Sequence, residues 1–529
     1  MKRTEVRYII FAFLLMTGQL VLAQRSCPVI PLPTVYEQGE GSFTVREGSV
    51  IVVKDSSLRA LAAFLQTSLK QHTGIGLKIG GGNEGAAVIL EKNGAAHGTD
   101  GYALQMTKNA VVISSPTREG LFYGIVTFLQ MAFQSPRKES GLAISCWDIQ
   151  DSARYAWRGL MLDESRHFFG KETVKMILDW MAFYKLNRFH WHLTDAPGWR
   201  LEIKQYPRLA SVGGRGNYSD PGAPVQYYTT ADIQEIIQYA QERYITVIPE
   251  IDMPGHATAA NRAYPEFSGG GSEKYPDFTF NPGKAETYRY LTDILREAAE
   301  LFPSRMIHLG GDEVSFGIEG WKDAAGVQQL MRDESLPGLK AVERYFIQRM
   351  TDSALKMYRK VLLWDEAADA SLPVNRTIIF WWRHDKPEQL NKALQKGYPV
   401  VLCPRLPFYF DFVQNRTHKK GRKRKDWLNS LDKVYGFPDK ELSAAMENNL
   451  ILGLQANLWT ELVRSRQHLE YLLFPRIAAL SERAWTGSHN SNYQRFLFTL
   501  KAHLQLYRKA GIYYYNPFEP AETPELQEW

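Results

Sequence analysis

From Asp151 onward, short apolar runs alternate with longer amphipathic stretches. The runs are Leu160–Asp163, Arg188–Leu193, Ile245–Asp252, Met306–Glu313, Val361–Glu366, Thr377–Trp382, Val400–Pro404 and Ile451–Trp459. Their length and their β-branched or aromatic content are those of buried strands. Lys171–Leu186 and Ala341–Arg359 are the clearest helical stretches between them. Eight strands with crossover helices predict an α/β chain built on a (β/α)8 TIM barrel with insertions. An open doubly wound sheet is the alternative. The gap from Glu366 to Thr377 is too short for a full helix, so one unit is expected to be degenerate.

Ahead of the barrel the pattern is mixed. Ser49–Val53, Ala87–Leu90 and Ala110–Ile113 read as strands. Leu58, Leu61, Leu65 and Leu69 fall at helical spacing behind Ser56-Ser57, a plausible cap, and Leu121, Ile125, Phe128 and Ala132 do so behind Pro116-Thr117. These predict an α+β support domain over residues 24–151, with the barrel over 152–486. A last helix, about Tyr493 to Ala510 and stopped by Gly511, lies in a C-terminal segment, 487–529, expected to pack on the barrel.

The first 23 residues place charge (Lys2, Arg3, Arg7), an apolar run (Tyr8–Met16) and small Ala23 in the order of a secretory signal peptide. The run is shorter than the ~20 residues that span a bilayer. The expectation is therefore export to the periplasm or medium, with no membrane span. A net charge of +6 over 529 residues is too small to imply a nucleic-acid surface. Three cysteines exclude a disulfide scaffold and an all-cysteine zinc cluster. The charge pattern fixes neither a protein partner nor an oligomeric state.

Candidate chemistry gathers where each strand ends. The eight ends read Glu164-Ser165-Arg166-His167, His192-Leu193-Thr194-Asp195, Glu250-Ile251-Asp252, Asp312-Glu313, Trp364-Asp365-Glu366, Trp381-Trp382-Arg383, Tyr409-Phe410-Asp411 and Trp459-Thr460-Glu461. That is the face on which barrel enzymes carry their chemistry. Indole faces suit the C–H faces of sugar rings, and carboxylates and arginine suit hydroxyls. Glycosidic cleavage needs an acid for the leaving oxygen and a group that stabilises the oxocarbenium-like centre. Asp312-Glu313 is the candidate pair. Neighbours within a strand face opposite ways, but Gly310-Gly311 permits a backbone that turns both toward the barrel mouth. The two carboxylates are expected to hold each other's pKa values apart.

His308-Leu309-Gly310-Gly311-Asp312-Glu313-Val314 resembles the signature of glycoside hydrolase family 20, the β-N-acetylhexosaminidases. Arg158–Asp163 with Arg166-His167-Phe168, Lys185–Asn187 with His190–Asp195, Pro249–His256 and Leu458–Glu461 match the same family in order. The resemblance implies an exo-acting, retaining hydrolase of terminal β-linked N-acetylglucosamine or N-acetylgalactosamine. In it the substrate's own acetamide oxygen is the nucleophile, an arrangement known as substrate assistance. It implies Glu313 as general acid and base, and Asp312 as the group that orients the acetamide and stabilises an oxazolinium. Tyr409 would donate to the acetamide oxygen. Trp364, Trp382 and Trp459 would wall the sugar, with Arg166, Glu461 and Asp411 on its hydroxyls, Asp411 near O6. His256 and Asp195 would form a relay to Glu313, and Trp381 keeps a core reading. The implied partners are amino-sugar glycans, with no cofactor and no metal. Ala196 departs from relatives that carry a second Asp there, so that position is not expected to be needed.

Two rivals are open on the residues alone. His190-Trp191-His192 has the spacing of a zinc pair on one strand face, although later strands end in Trp and Asp/Glu rather than further histidines. A non-catalytic sugar-binding protein would keep the indoles and lose the acid pair. Residues 415–425 (NRTHKKGRKRK) read as a solvated basic loop or a clamp for acidic glycans. Asp411 argues against sulfate at O6, since like charges repel.

Overall fold

The computed structural model describes residues 27–80, 87–93, 98–424, 426–438, 442 and 448–527; the expected signal peptide at 1–23 lies outside them. Two compact units emerge, one ending at Arg154 and taking back Trp485–Gly511, the other comprising Tyr155–Ala484 and Ile512–Trp529.

In the first unit the three expected strands appear as Val50–Val53, Ala87–Glu91 and Ala110–Ser114. They belong to an eight-stranded mixed sheet. Its main path runs Val35–Val45, Gly141–Asp151, Tyr102–Met106, Ala110–Ser114, Ala87–Glu91, Val50–Val53, Lys78–Gly80. Asp55, not Ser56-Ser57, caps the turn that leads into the Arg59–Thr73 helix, accepting from the Ser57 N–H at 2.8 Å. The Arg118–Gln134 helix is capped by Thr117 as its sequence implies. Buried Asp151 is satisfied by the Tyr102 hydroxyl at 2.8 Å and the Trp485 indole at 3.0 Å. The Tyr493–Lys509 helix was expected on the barrel and instead belongs to this unit, where His503 lies 3.5 Å from Gln134 and 3.3 Å from the Pro28 carbonyl oxygen.

The second unit is a closed barrel of eight parallel strands: β1 (Trp157–Asp163), β2 (Arg188–His192), β3 (Thr246–Glu250), β4 (Met306–His308), β5 (Lys360–Trp364), β6 (Thr377–Trp381), β7 (Val400–Leu402) and β8 (Ile451–Leu458). Pairing of β8 with β1, from Gly453↔Trp157 to Leu458↔Leu162, closes the ring and removes the open-sheet alternative. Every expected strand is present. Only short 3-10 turns, Asp365–Asp369 and Val374–Arg376, join β5 to β6, the expected degenerate unit. Arg158 on β1 is fully buried at the strand's N-terminal end, donating to the Tyr155 and Lys185 carbonyl oxygens. Asn187 accepts from the Arg158 N–H at 3.1 Å, so this motif pair ties strands rather than touching the site. No helix among the described residues is long and apolar enough to cross a membrane.

Candidate active site

β4 is shorter than its apolar run suggests. It stops at His308, and Gly310 (φ 65°) and Gly311 (φ 91°) take the chain through left-handed backbone. A Cβ at Gly310 would sit 1.8 Å from the Asp252 carboxylate, which instead accepts the Gly311 N–H at 3.2 Å. Glu313 itself is left-handed at φ 51°. The outcome is that Asp312 and Glu313 reach the same side. His256 Nε2 lies 3.6 Å from one carboxylate and 3.8 Å from the other.

His256 passes the connection on to Asp195, whose carboxylate lies 3.0 Å from Nδ1. Asp195 also receives Arg166 at 2.6 Å, His192 at 3.1 Å and the Ala196 backbone N–H at 2.5 Å. The contribution of position 196 is thus made by its backbone, whatever its side chain. Burial works against a carboxylate at Asp195, but Arg166 and His256 outweigh it and hold its pKa well below the usual range. Burial likewise opposes a charged His256, yet Asp195 and Asp312 raise it to about 9. For Glu313 burial dominates and raises the pKa, with His256 and Arg166 pulling against it. Asp312 is raised further, by burial and then by Asp252. The strongest charge against Asp312 is therefore Asp252, not its neighbour Glu313 as the sequence suggested.

Four aromatic side chains stand together beside the pair. Trp382 stacks on Tyr409 at 6.2 Å and 14°, and Trp459 lies 5.9 Å from Tyr409 and 6.1 Å from Trp364. Trp382 Nε1 donates to Glu366 at 3.1 Å. Trp381, next in sequence, is buried and donates to the Lys386 carbonyl, consistent with its core reading. Burial keeps the Tyr409 hydroxyl protonated, hence a donor. Arg166 lies over the Trp459 ring at 4.9 Å. Asp411 and Glu461 are each paired with Arg422, at 2.6 Å and 2.7 Å. All eleven residues singled out in the sequence are thus in the barrel unit at or near the strand ends.

Three further side chains have roles at the site: Glu250 and Arg422, to which the sequence reading gave none, and His192, which it weighed only as half of a zinc pair. Glu250 is fully buried at the end of β3, in register with His192 on β2 and His308 on β4. Its carboxylate accepts the Trp364 indole N–H at 2.9 Å, bonds His192 Nδ1, and lies 3.0 Å from both His190 and His308. His192 then carries the connection to Asp195. The inward alternation of His190 and His192 was a usable signal for this hub. The H-x-H pair could be asked to hold a metal, since His190, Glu250 and His308 bring ligand atoms within 4.8 Å. Gln455 donates to His190 Nδ1 at 3.0 Å, the Gly310 N–H to His308 Nδ1 at 3.1 Å, and both Glu250 oxygens have donors, while Nε2 of His190 and of His308 is buried without a hydrogen-bond partner.

Residues 155–488 match glycosyl hydrolase family 20, catalytic domain, and residues 26–152 match glycosyl hydrolase family 20, domain 2. A β-hexosaminidase of Porphyromonas gingivalis is 32% identical over 506 residues, covering 92% of this chain; the chain spans 64% of that relative's length. A β-hexosaminidase of Vibrio furnissii is 31% identical, over 86% of this chain and 76% of its own. The GH20 exo-β-N-acetylglucosaminidase of Vibrio harveyi, solved with N-acetylglucosamine, superposes with a TM-score of 0.85 at 30% identity, covering 93% of this chain and 79% of that one. A Streptomyces plicatus β-hexosaminidase variant solved with its product GlcNAc gives 0.81 at 28% identity, covering 93% and 97%. With both domain matches in order around a closed barrel and its acid pair, the chain belongs to glycoside hydrolase family 20.

Proposed function

We propose that this chain is an exo-acting, retaining β-N-acetylhexosaminidase that removes terminal β-linked N-acetylglucosamine or N-acetylgalactosamine from glycans. The observation that carries it is the convergence of Asp312 and Glu313 on His256 beside the four-aromatic wall. The acetamide oxygen attacks C1 while Glu313 gives its proton to the glycosidic oxygen, and the C1–O bond breaks as the oxazolinium forms. Water then attacks C1, Glu313 takes its proton, and the ring reopens to the acetamide. Holding nucleophile and electrophile in one molecule gives a high effective molarity.

Asp312 explains how the acceleration is spent. Its negative charge is disfavoured by burial and by Asp252. A cation developing on the acetamide reverses that, so the carboxylate interacts more strongly with the transition state than with the resting site. Tyr409 donates to the acetamide oxygen, Trp364, Trp382 and Trp459 enclose the ring, and Arg166, Glu461 and Asp411 meet its hydroxyls. His256, held charged by Asp195, tunes Glu313.

Two displacements at C1 leave its configuration unchanged. Proton NMR of an early reaction mixture should therefore show the β-anomer of the free sugar first, with the α-anomer growing in only by mutarotation. An initial α-anomer would overturn the mechanism. Export is part of the same proposal, supported by the order of charge, apolar run and Ala23 in the first 23 residues. Protein recovered outside the cytoplasm should begin near Gln24; a chain retained inside with Met1 intact would contradict it.

A further inference from the structure

The basic run 415–425 sends one of its side chains into the site. Gly421 adopts φ +106°, and a Cβ there would lie 3.1 Å from the Asp411 carbonyl oxygen and 3.2 Å from Val413. The close approach lets the Arg422 N–H donate to that same carbonyl oxygen at 2.8 Å, and the Val413 N–H donates back to the Arg422 carbonyl oxygen at 3.3 Å. Arg422 is thereby fixed by its backbone beside Asp411. Its guanidinium then spans two carboxylates from different strand ends, with Nε on Asp411 Oδ2 at 2.6 Å and Nη2 on Glu461 Oε1 at 2.7 Å.

Each carboxylate keeps a second oxygen. Asp411 Oδ1 and Glu461 Oε2 are buried and have no hydrogen-bond partner. A buried acceptor left without a donor is costly, and more so when it is charged. Ligand hydroxyls are the natural donors for both. Without Arg422 the two carboxylates would also repel each other in a buried place, and either could turn its free oxygen away.

We infer that Arg422 is a positioning residue that sets recognition of the hydroxyl end of the sugar, by tethering one oxygen of Asp411 and one of Glu461 so that the other oxygen of each faces a substrate hydroxyl. This rests on the hexosaminidase assignment proposed above and adds a residue to it. The guanidinium fork matches the task because it presents parallel donors to two acceptors, which a lysine ammonium cannot do with the same geometry. Charge is consistent with the assignment. Burial opposes ionised Glu461, but Arg166 and Arg422 together lower its pKa, while Asp411, with Arg422 opposing burial and Glu461, rests at about 6.

The test compares wild type, Arg422→Met and Arg422→Lys on an aryl N-acetyl-β-glucosaminide, its 4,6-dideoxy analogue and its 6-O-sulfated analogue. Arg422→Met should lower kcat/KM on the parent substrate roughly tenfold to hundredfold, mainly through KM, as expected for lost charge-assisted hydrogen bonds. On the dideoxy analogue, which lacks the hydroxyls in question, the two enzymes should differ by about threefold or less. Arg422→Lys should recover part of the loss on the parent. Equal losses on parent and dideoxy substrates would make Arg422 merely structural, and an unchanged Arg422→Met would remove its role. Wild-type preference for the sulfated substrate, lost in Arg422→Met, would make it an anion ligand instead and overturn the inference. If Arg422→Met does not fold, wild type must still discriminate against the dideoxy analogue and Arg422→Lys must still narrow that discrimination. Wild type that hydrolyses none of the three strikes the parent assignment, whereas wild-type turnover with unaltered variants strikes this inference alone.

Discussion

Glu313→Gln is expected to cut turnover of an aryl N-acetyl-β-glucosaminide severely while leaving the fold intact. The substitution is nearly isosteric and removes only the transferable proton. General acid–base catalysis contributes typically 10²–10⁴-fold, so a loss of about that size should appear in kcat. The loss should deepen as the leaving group worsens, because a nitrophenolate departs with little help and a sugar alkoxide does not. Wild-type kcat/KM should fall as pH rises through the pKa of Glu313, since only its protonated form can act as acid. Burial places that fall above the ordinary glutamate range. In the glutamine variant this alkaline limb should vanish. Steady-state kinetics on a leaving-group series, with circular dichroism as the folding control, measures all three. Undiminished hydrolysis by Glu313→Gln would end the assignment of the acid.

Much of the barrel is legible in the chain because buried strands are short and apolar, and their polar punctuation falls at C-terminal ends. The strand ends also located the acid pair and the indoles, while the Asp195–His256 relay came with the family resemblance. Where expectation and structure part, the reasons are physical. Met306–Glu313 reads as one apolar run, but left-handed Gly310 and Gly311 end β4 at His308, and that early stop is what turns both carboxylates to one side. Val35–Val45 escaped detection because most of its positions are exposed and polar, so neither alternation nor apolarity marks it. Gly141–Asp151 is more buried, but its alternation is broken by Cys146-Trp147, both buried. The Tyr493–Lys509 helix is readable as a helix, yet periodicity says nothing about which surface receives its apolar face. Arg422 was hidden among six other basic residues of 415–425, where charge density signals solvent. Glu250 was visible at a strand end, but only cross-strand register shows that three histidines converge on it.

The second large effect concerns the substrate rather than the protein. An aryl β-glucoside, identical except for a hydroxyl in place of the 2-acetamido group, should be turned over at least on the order of 10⁴-fold less efficiently, because effective molarities of well-placed intramolecular nucleophiles reach about 10⁵–10⁸ M. Loss of simple binding contacts from one substituent is smaller, roughly 10–200-fold for a single apolar group. The two explanations are therefore separable by size and by which constant moves. Binding loss raises KM, whereas loss of the nucleophile collapses kcat. The deciding measurement is kcat for the two aryl glycosides under saturating conditions. A collapse of kcat on the glucoside is the expected result; comparable kcat values on both would show that the acetamide is not the nucleophile.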